Sequence, residues 1–149
     1  GGGIALRWTE YHVLEGNLIE SNQSETGGGV CFGLWANQGL MLDNDVKNNV
    51  SKFGGGVISS GNTEFHYNRF ENNLVNGALN HFYNNSSQNT PNIDAENNWW
   101  GSSDPATIES SIYHFADDSA QGVVDFEPFC NESCKPPEPL KVFLPMVAR

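Results

Sequence analysis

Apolar residues alternate with their neighbours in short runs along this chain, as at Ile4 and Leu6, Val30 and Phe32, and Phe65 and Tyr67. Period-two alternation predicts short strands with one face inward. Glycine and asparagine separate the runs, as turn-forming residues do. No segment carries a 3.6-residue period over helical length. The runs also recur. "GGGI" at Gly1, "GGGV" at Gly27 and "GGGV" at Gly54 align, with a weaker fourth copy at Asn76-Gly77-Ala78-Leu79. "LIESN", "DVKNN", "RFENN" and "DAENN" end at Asn22, Asn49, Asn73 and Asn98, at steps of 27, 24 and 25 residues. Ile19, Val46, Phe70 and Ala95 precede them at the same steps, and Leu14, Met41 and Phe65 form a further column.

A fixed period of this length marks a repeat architecture, in which each unit buries its apolar residues against the next. Short strands, stacked units and apolar columns together predict an all-β fold: a single-stranded parallel β-helix, or solenoid, of about four coils with a C-terminal cap. Roughly 22–27 residues per turn suits a three-sided coil, and crossover chirality predicts right-handed winding. Asn22, Asn49, Asn73 and Asn98 are expected to form an internal ladder, since an amide both donates and accepts. The glycines are expected where the coil turns at positive φ or where neighbouring backbones approach closely. They match neither a dinucleotide-binding nor a P-loop pattern.

The alternation of GGG[IV] with an apolar residue three before Asn, including Phe70-Glu71-Asn72-Asn73, resembles the right-handed β-helix repeats of bacterial surface proteins. Among them are the chlamydial polymorphic membrane proteins. "ENNWWGSSDP" (96–105) followed by "GVVDFEPF" (122–129) resembles the C-terminal finish of secreted bacterial β-helix proteins of the pectate-lyase-like superfold. The tail "KVFLPMVAR" is similar to endings of secreted Chloroflexota proteins. The resemblance covers about residues 1–129. It implies fold more than function, because this superfold hosts lyases, hydrolases, adhesins and fibres.

Along the chain, residues 1–26, 27–53 and 54–75 read as successive coils, and 76–101 as a fourth with an inserted loop at 84–92. Residues 102–121 leave the repeat; a short helix is expected there, capped by Asp104 or Ser103 with Pro105 in its first turn. Residues 122–129 return as a strand and complete the 1–129 β-helix with its cap. Residues 130–139 hold a disulfide loop and a Pro-rich linker. Residues 140–149 form an apolar strand.

Composition narrows the partners. The 149 residues carry a formal net charge of −11 with only seven Lys and Arg, which disfavours nucleic acid and anionic membranes. No apolar run is long enough to span a bilayer. No signal peptide is visible, and Gly1 reads as an internal start within a longer chain. Cys130 and Cys134 are spaced for a small disulfide loop, which would place the protein in an oxidising compartment, and Cys31 reads as a buried small apolar residue.

Four tryptophans are candidate ligand contacts. Trp8 and Trp35 are 27 apart and so share a face. Inside, they would be a core stack; outside, beside Glu10 and Tyr11, they would line a carbohydrate groove. The third copy has Asn62 there. Trp99 and Trp100 face opposite ways, one capping the core and the other free to form a sugar platform. His12, His66, His81 and His114 share no metal-binding spacing, and no metal site is assigned. Calcium is a possible ligand of Asp43-Asn44-Asp45 or Asp117-Asp118, where oxygen ligands gather. Asp117-Asp118 is similar to the paired carboxylates of β-helix glycosidases but lies beyond the regular coils, and no catalytic residue is assigned. The sequons at Asn22, Asn49, Asn84, Asn85 and Asn131 are expected by chance in so Asn-rich a chain. The apolar strand containing Val142, Phe143, Leu144, Met146 and Val147 either folds back on its own last coil or adds to a neighbouring subunit.

These features point to a secreted or cell-surface protein with a non-catalytic structural or adhesive role. It would self-associate into filaments or meet neighbouring surface proteins through its C-terminal strand. The alternative is a carbohydrate-binding or polysaccharide-degrading β-helix whose catalytic coils precede Gly1.

Overall fold

The computed structural model describes residues 1–87, 89, 92–132, 135 and 136. It is a parallel β-solenoid of about four turns. One face stacks Ile4–Leu6, Val30–Phe32, Val57–Ser59, Phe82–Asn84 and Ile112–Tyr113 in parallel register. A second stacks Val13–Glu15, Gly39–Leu42 and Thr63–His66, and continues through Ile93–Asp94 and Val124–Asp125. A third stacks Leu18–Glu20, Asp45–Lys47 and Arg69–Glu71, with Trp99 bridging to Arg69. A short fourth side pairs Val50–Ser51 with Leu74–Val75, so the turn has one more side than the period suggested.

The alternation of the sequence becomes a column of buried side chains behind each face. Leu14, Met41 and Phe65 occupy one row of the second face, as their spacing implied. Val30, Val57, Phe82 and Ile112 fill a row of the first. Rings interlock between columns: Phe65 meets Phe32 and Phe82 edge-on at 5.5 and 4.9 Å. Ile19, Val46 and Phe70 share a row, but the next member is not Ala95. Trp100 takes that place, stacked on Phe70 at 4.6 Å and 1% exposed. The loop inserted in this turn moves the true register five residues past Ala95.

The same shift divides the asparagine ladder into two. Asn22 donates through its backbone and side-chain N–H to the Asn49 amide oxygen, both at 3.0 Å, and Asn49 donates likewise to Asn73. Asn98 does not follow Asn73. It ends a second ladder, Asn17, Asn44, Asn68 and Asn98, on the preceding corner of the coil. Above Asn73 the first ladder meets His81 instead, at 3.4 Å. Each rung also ties the turn backbone, as when Asn49 donates to the Ile19 carbonyl. The buried corners therefore leave few polar groups unpaired.

The glycine triplets divide the labour. Gly27 and Gly54 sit at φ of 63° and 66°, in the left-handed region where a Cβ is costly. At Gly28 a Cβ would stand 2.4 Å from the Gly55 carbonyl oxygen, so coil-to-coil contact forbids a side chain. Asn76-Gly77 is not a fourth triplet. It is the two-residue turn of a hairpin, with both residues at positive φ and Leu74–Val75 antiparallel to Ala78–Leu79. Asn80 and His81 occupy the glycine positions, their carbonyls accepting from Gly56 and Val57.

Helix α1 (Pro105–Ser110) follows the fourth turn. Asp104 caps it by accepting from the Thr107 N–H, and Ile108 is its buried anchor. The chain then rejoins the first face at Ile112 and the second at Val124, so α1 interrupts the coil rather than closing it. Among the described residues no helix is long and apolar enough to cross a membrane.

Candidate functional site: an exposed tryptophan pair on one corner

Trp8 and Trp35 leave the first face at equivalent corners of successive coils. Both point outward, with exposures of 74% and 62%. Their rings stack with centroids 6.1 Å apart and planes 21° from parallel. The Trp8 N–H bonds the Leu34 carbonyl, which fixes the vertical spacing of the corner. Both residues adopt positive φ, 58° and 63°, as do Tyr11, Ser21, Gln38, Asp43 and Tyr67 at other turns of the coil. A non-Gly side chain there costs of order 1 kcal/mol, a cost the tight corners of this coil carry repeatedly.

The pair and Glu10 border an open cleft of about 510 Å³, with Tyr11 also exposed on this corner. On the other side of Trp8 lies a groove of about 490 Å³ above the outer side of the first face. Buried Cys31 and Ile58 form its floor; Leu34, Thr26, Ser60 and Asn85 line it with Arg7, whose stem crosses Gly33. The site thus offers two flat indole faces and an apolar floor, with a carboxylate, a guanidinium, hydroxyls and an amide around them. Apolar surface with a few convergent polar groups is the usual make-up of a small-ligand site.

The other two tryptophans do not join it. Trp100 is enclosed in the core, and its indole N–H has no hydrogen-bond partner. Trp99 is half-buried on the third face, where its indole N–H donates to Glu71 at 3.2 Å. That face carries a cluster the sequence did not reveal. Arg69 contacts Asp45 at 3.2 Å and Glu71 at 2.7 Å, and its guanidinium donates to the Glu132 carbonyl at 2.6 Å. Row-to-row register brings these residues together, while along the chain Arg69 has no acidic cluster beside it.

Among the described residues no group of three His, Cys, Asp or Glu side chains is placed to hold a metal. Asp117 and Asp118 are engaged in turn bonds to the backbone of His114 and Ala120. Asp45 is paired with Arg69, and Asn44 is a ladder rung. Cys31 is a free, buried thiol. Cys134 and the strand residues Val142, Phe143, Leu144, Met146 and Val147 lie outside the described residues.

Among the described residues His81 is the group whose titration burial moves furthest. Burial pushes it down to about 4, outweighing the nearby Glu71 carboxylate and the Trp100 carbonyl, which act in the opposite direction. The unfolded chain, with histidine near 6.5, takes up the proton more readily. Stability from neutral His81 is therefore fully present above pH 6.5 and is lost as pH falls from there through about 4. Between pH 7 and 4.5 this amounts to about 2–3 kcal/mol. Urea unfolding at both pH values should show His81→Gln losing less stability than wild type by that amount. An equal loss in both proteins would remove His81 as the cause. His12, also lowered by burial, acts in the same direction in both.

No family model, curated protein or solved structure matches the chain.

Proposed function

We propose that this solenoid is a non-catalytic, extracellular adhesive protein that holds a neutral polysaccharide on the Trp8–Trp35 corner. The observation that carries this reading is the stacked, outward-facing pair on successive coils. Indole faces offer flat apolar surface to the C–H face of a sugar ring, and the indole edge still donates a hydrogen bond. Aromatic side chains so exposed on a soluble surface are candidate contacts. The formal charge of −11 favours a neutral chain over an anionic one. Glu10, Ser60 and Asn85 offer partners for hydroxyl groups. The resemblance of the repeats to bacterial surface β-helix proteins supports a secreted or cell-surface setting.

Affinity electrophoresis through gels containing neutral polysaccharides tests the reading. Wild type should be retarded by at least one of them. Trp8→Ala and Trp35→Ala should each weaken retention about ten-fold or more, since a lost aromatic contact is worth on the order of 1–3 kcal/mol. Both residues are exposed, so the fold should survive. Equal mobility of wild type and both variants in every gel would refute it.

A further inference from the structure

The corner that carries Trp8 runs from Arg7 to His12, between the first and second faces. Backbone bonds tie it to the second coil: the Trp8 and Tyr11 N–H groups donate to the Leu34 and Asn37 carbonyls, and the Asn37 N–H donates to the Thr9 carbonyl. The His12 side chain reaches further. It turns inward, its ring stacked on buried Phe32 at 5.2 Å and 24°. Its Nε2 stands 3.2 Å from Thr63 Oγ1 on the third coil, and its Nδ1 stands 3.4 Å from the Oγ1 of Thr9, the residue after Trp8.

Register explains the reach. The His12 carbonyl accepts from the Leu40 N–H, which sets His12 beside Gly39, and Gly39 pairs with Thr63. A Cβ at Gly39 would overlap the His12 ring. Glycine there leaves the hole through which the imidazole passes the second coil. Thr63 is 1% exposed, so its hydroxyl meets His12 rather than water. A neutral imidazole donates from one nitrogen and accepts at the other, and a hydroxyl fills either role, so both contacts form at once. Burial lowers the His12 pKa and so favours the neutral ring.

We propose that His12 is a positioning residue for the Trp8–Trp35 site, pinning the Trp8 corner to the third coil through the hole at Gly39. Trp8 is 74% exposed, so packing does little to hold its ring. His12 fixes Thr9, and with it the backbone from which the indole projects. The two indoles are thereby held as one platform before a ligand arrives, which removes an ordering cost from binding. This role rests on the reading of the corner as a sugar site.

Thr63→Val tests it, because the change removes the hydroxyl, keeps the side-chain shape and lies on the third coil. In the unliganded protein, NMR follows the Trp8 indole N–H signal and its nuclear Overhauser contacts with the Trp35 ring, beside retention in the polysaccharide gels. Thr63→Val should move the Trp8 signal, weaken the contacts with Trp35 and lower retention about three-fold. His12→Ala should do the same, and the double variant should be no worse than His12→Ala alone. A lower Tm in Thr63→Val with the Trp8 signal unmoved would overturn the proposal, since it marks a contact that serves stability alone. Additive effects in the double variant would overturn it as well. If no gel retards wild type, the sugar reading fails, and the Trp8 signal still decides whether His12 holds the corner.

Discussion

Asn49→Ala is expected to cost about 4 kcal/mol of folding stability, several times the cost of Asn22→Ala. Asn49 is fully buried at the middle rung of its ladder. Its amide oxygen accepts two bonds from Asn22, and its amide nitrogen donates to Asn73 and to the Ile19 carbonyl. Truncation strands donors and acceptors on both neighbouring coils, where water cannot replace the lost partner. A buried polar group left unpaired costs about 1–3 kcal/mol, and several are stranded at once. Asn22 is half-exposed and serves one neighbour, so water takes over most of its bonds, at a cost of about 1 kcal/mol. For a chain of this size the Asn49 change corresponds to a fall in Tm of about 10 °C. Thermal unfolding of the two variants beside wild type checks the ranking; similar losses would mean that the ladder does not act as a connected unit.

Gly28→Ala is expected to be nearly as damaging, for a steric reason. The new Cβ would stand 2.4 Å from the Gly55 carbonyl oxygen and 2.9 Å from the backbone N and O of Val50. All three are backbone atoms, of the next coil at Gly55 and of the same coil at Val50, so no side-chain rotation relieves the clash. The coils must separate locally, at about 3 kcal/mol or more. Gly16→Ala is the matched comparison. Gly16 has φ of 66°, but an added Cβ would find nothing within 4 Å. It should lose only the left-handed preference, about 1 kcal/mol. Chemical denaturation of both separates the two uses of glycine; equal losses would show that conformation alone, and not close approach, sets the requirement.

The contrast explains which parts of the fold were readable from the residues. Where the period ran undisturbed, the apolar columns and the first three rungs could be placed, because Leu14, Met41 and Phe65 share a row. Insertions defeated the rest. The added loop carries Asn98 30 residues beyond its true partner Asn68, while chance leaves it 25 beyond Asn73, close to the repeat length. The doublets Asn48-Asn49, Asn72-Asn73 and Asn97-Asn98 look alike, and only hydrogen bonding tells which ladder each joins. Asn76-Gly77 imitates a glycine triplet because a tight hairpin and a tight coil corner ask for the same positive-φ residues.

The candidate site shows a similar division. The 27-residue spacing put Trp8 and Trp35 on one face and left inside or outside undecided. Corner geometry decides it, because both residues sit just past the strand, where the side chain projects away from the core. The Arg69 cluster was not readable, since it assembles residues from different coils through lateral register.

The most direct test of sugar binding follows the four indole N–H signals by NMR while a neutral oligosaccharide is added. Stacking on the corner predicts that the Trp8 and Trp35 signals shift together and saturably, while enclosed Trp100 and Glu71-bonded Trp99 stay in place. Shifts confined to Trp99 or Trp100, or no shift with any polysaccharide fragment that retards the protein in a gel, would contradict it.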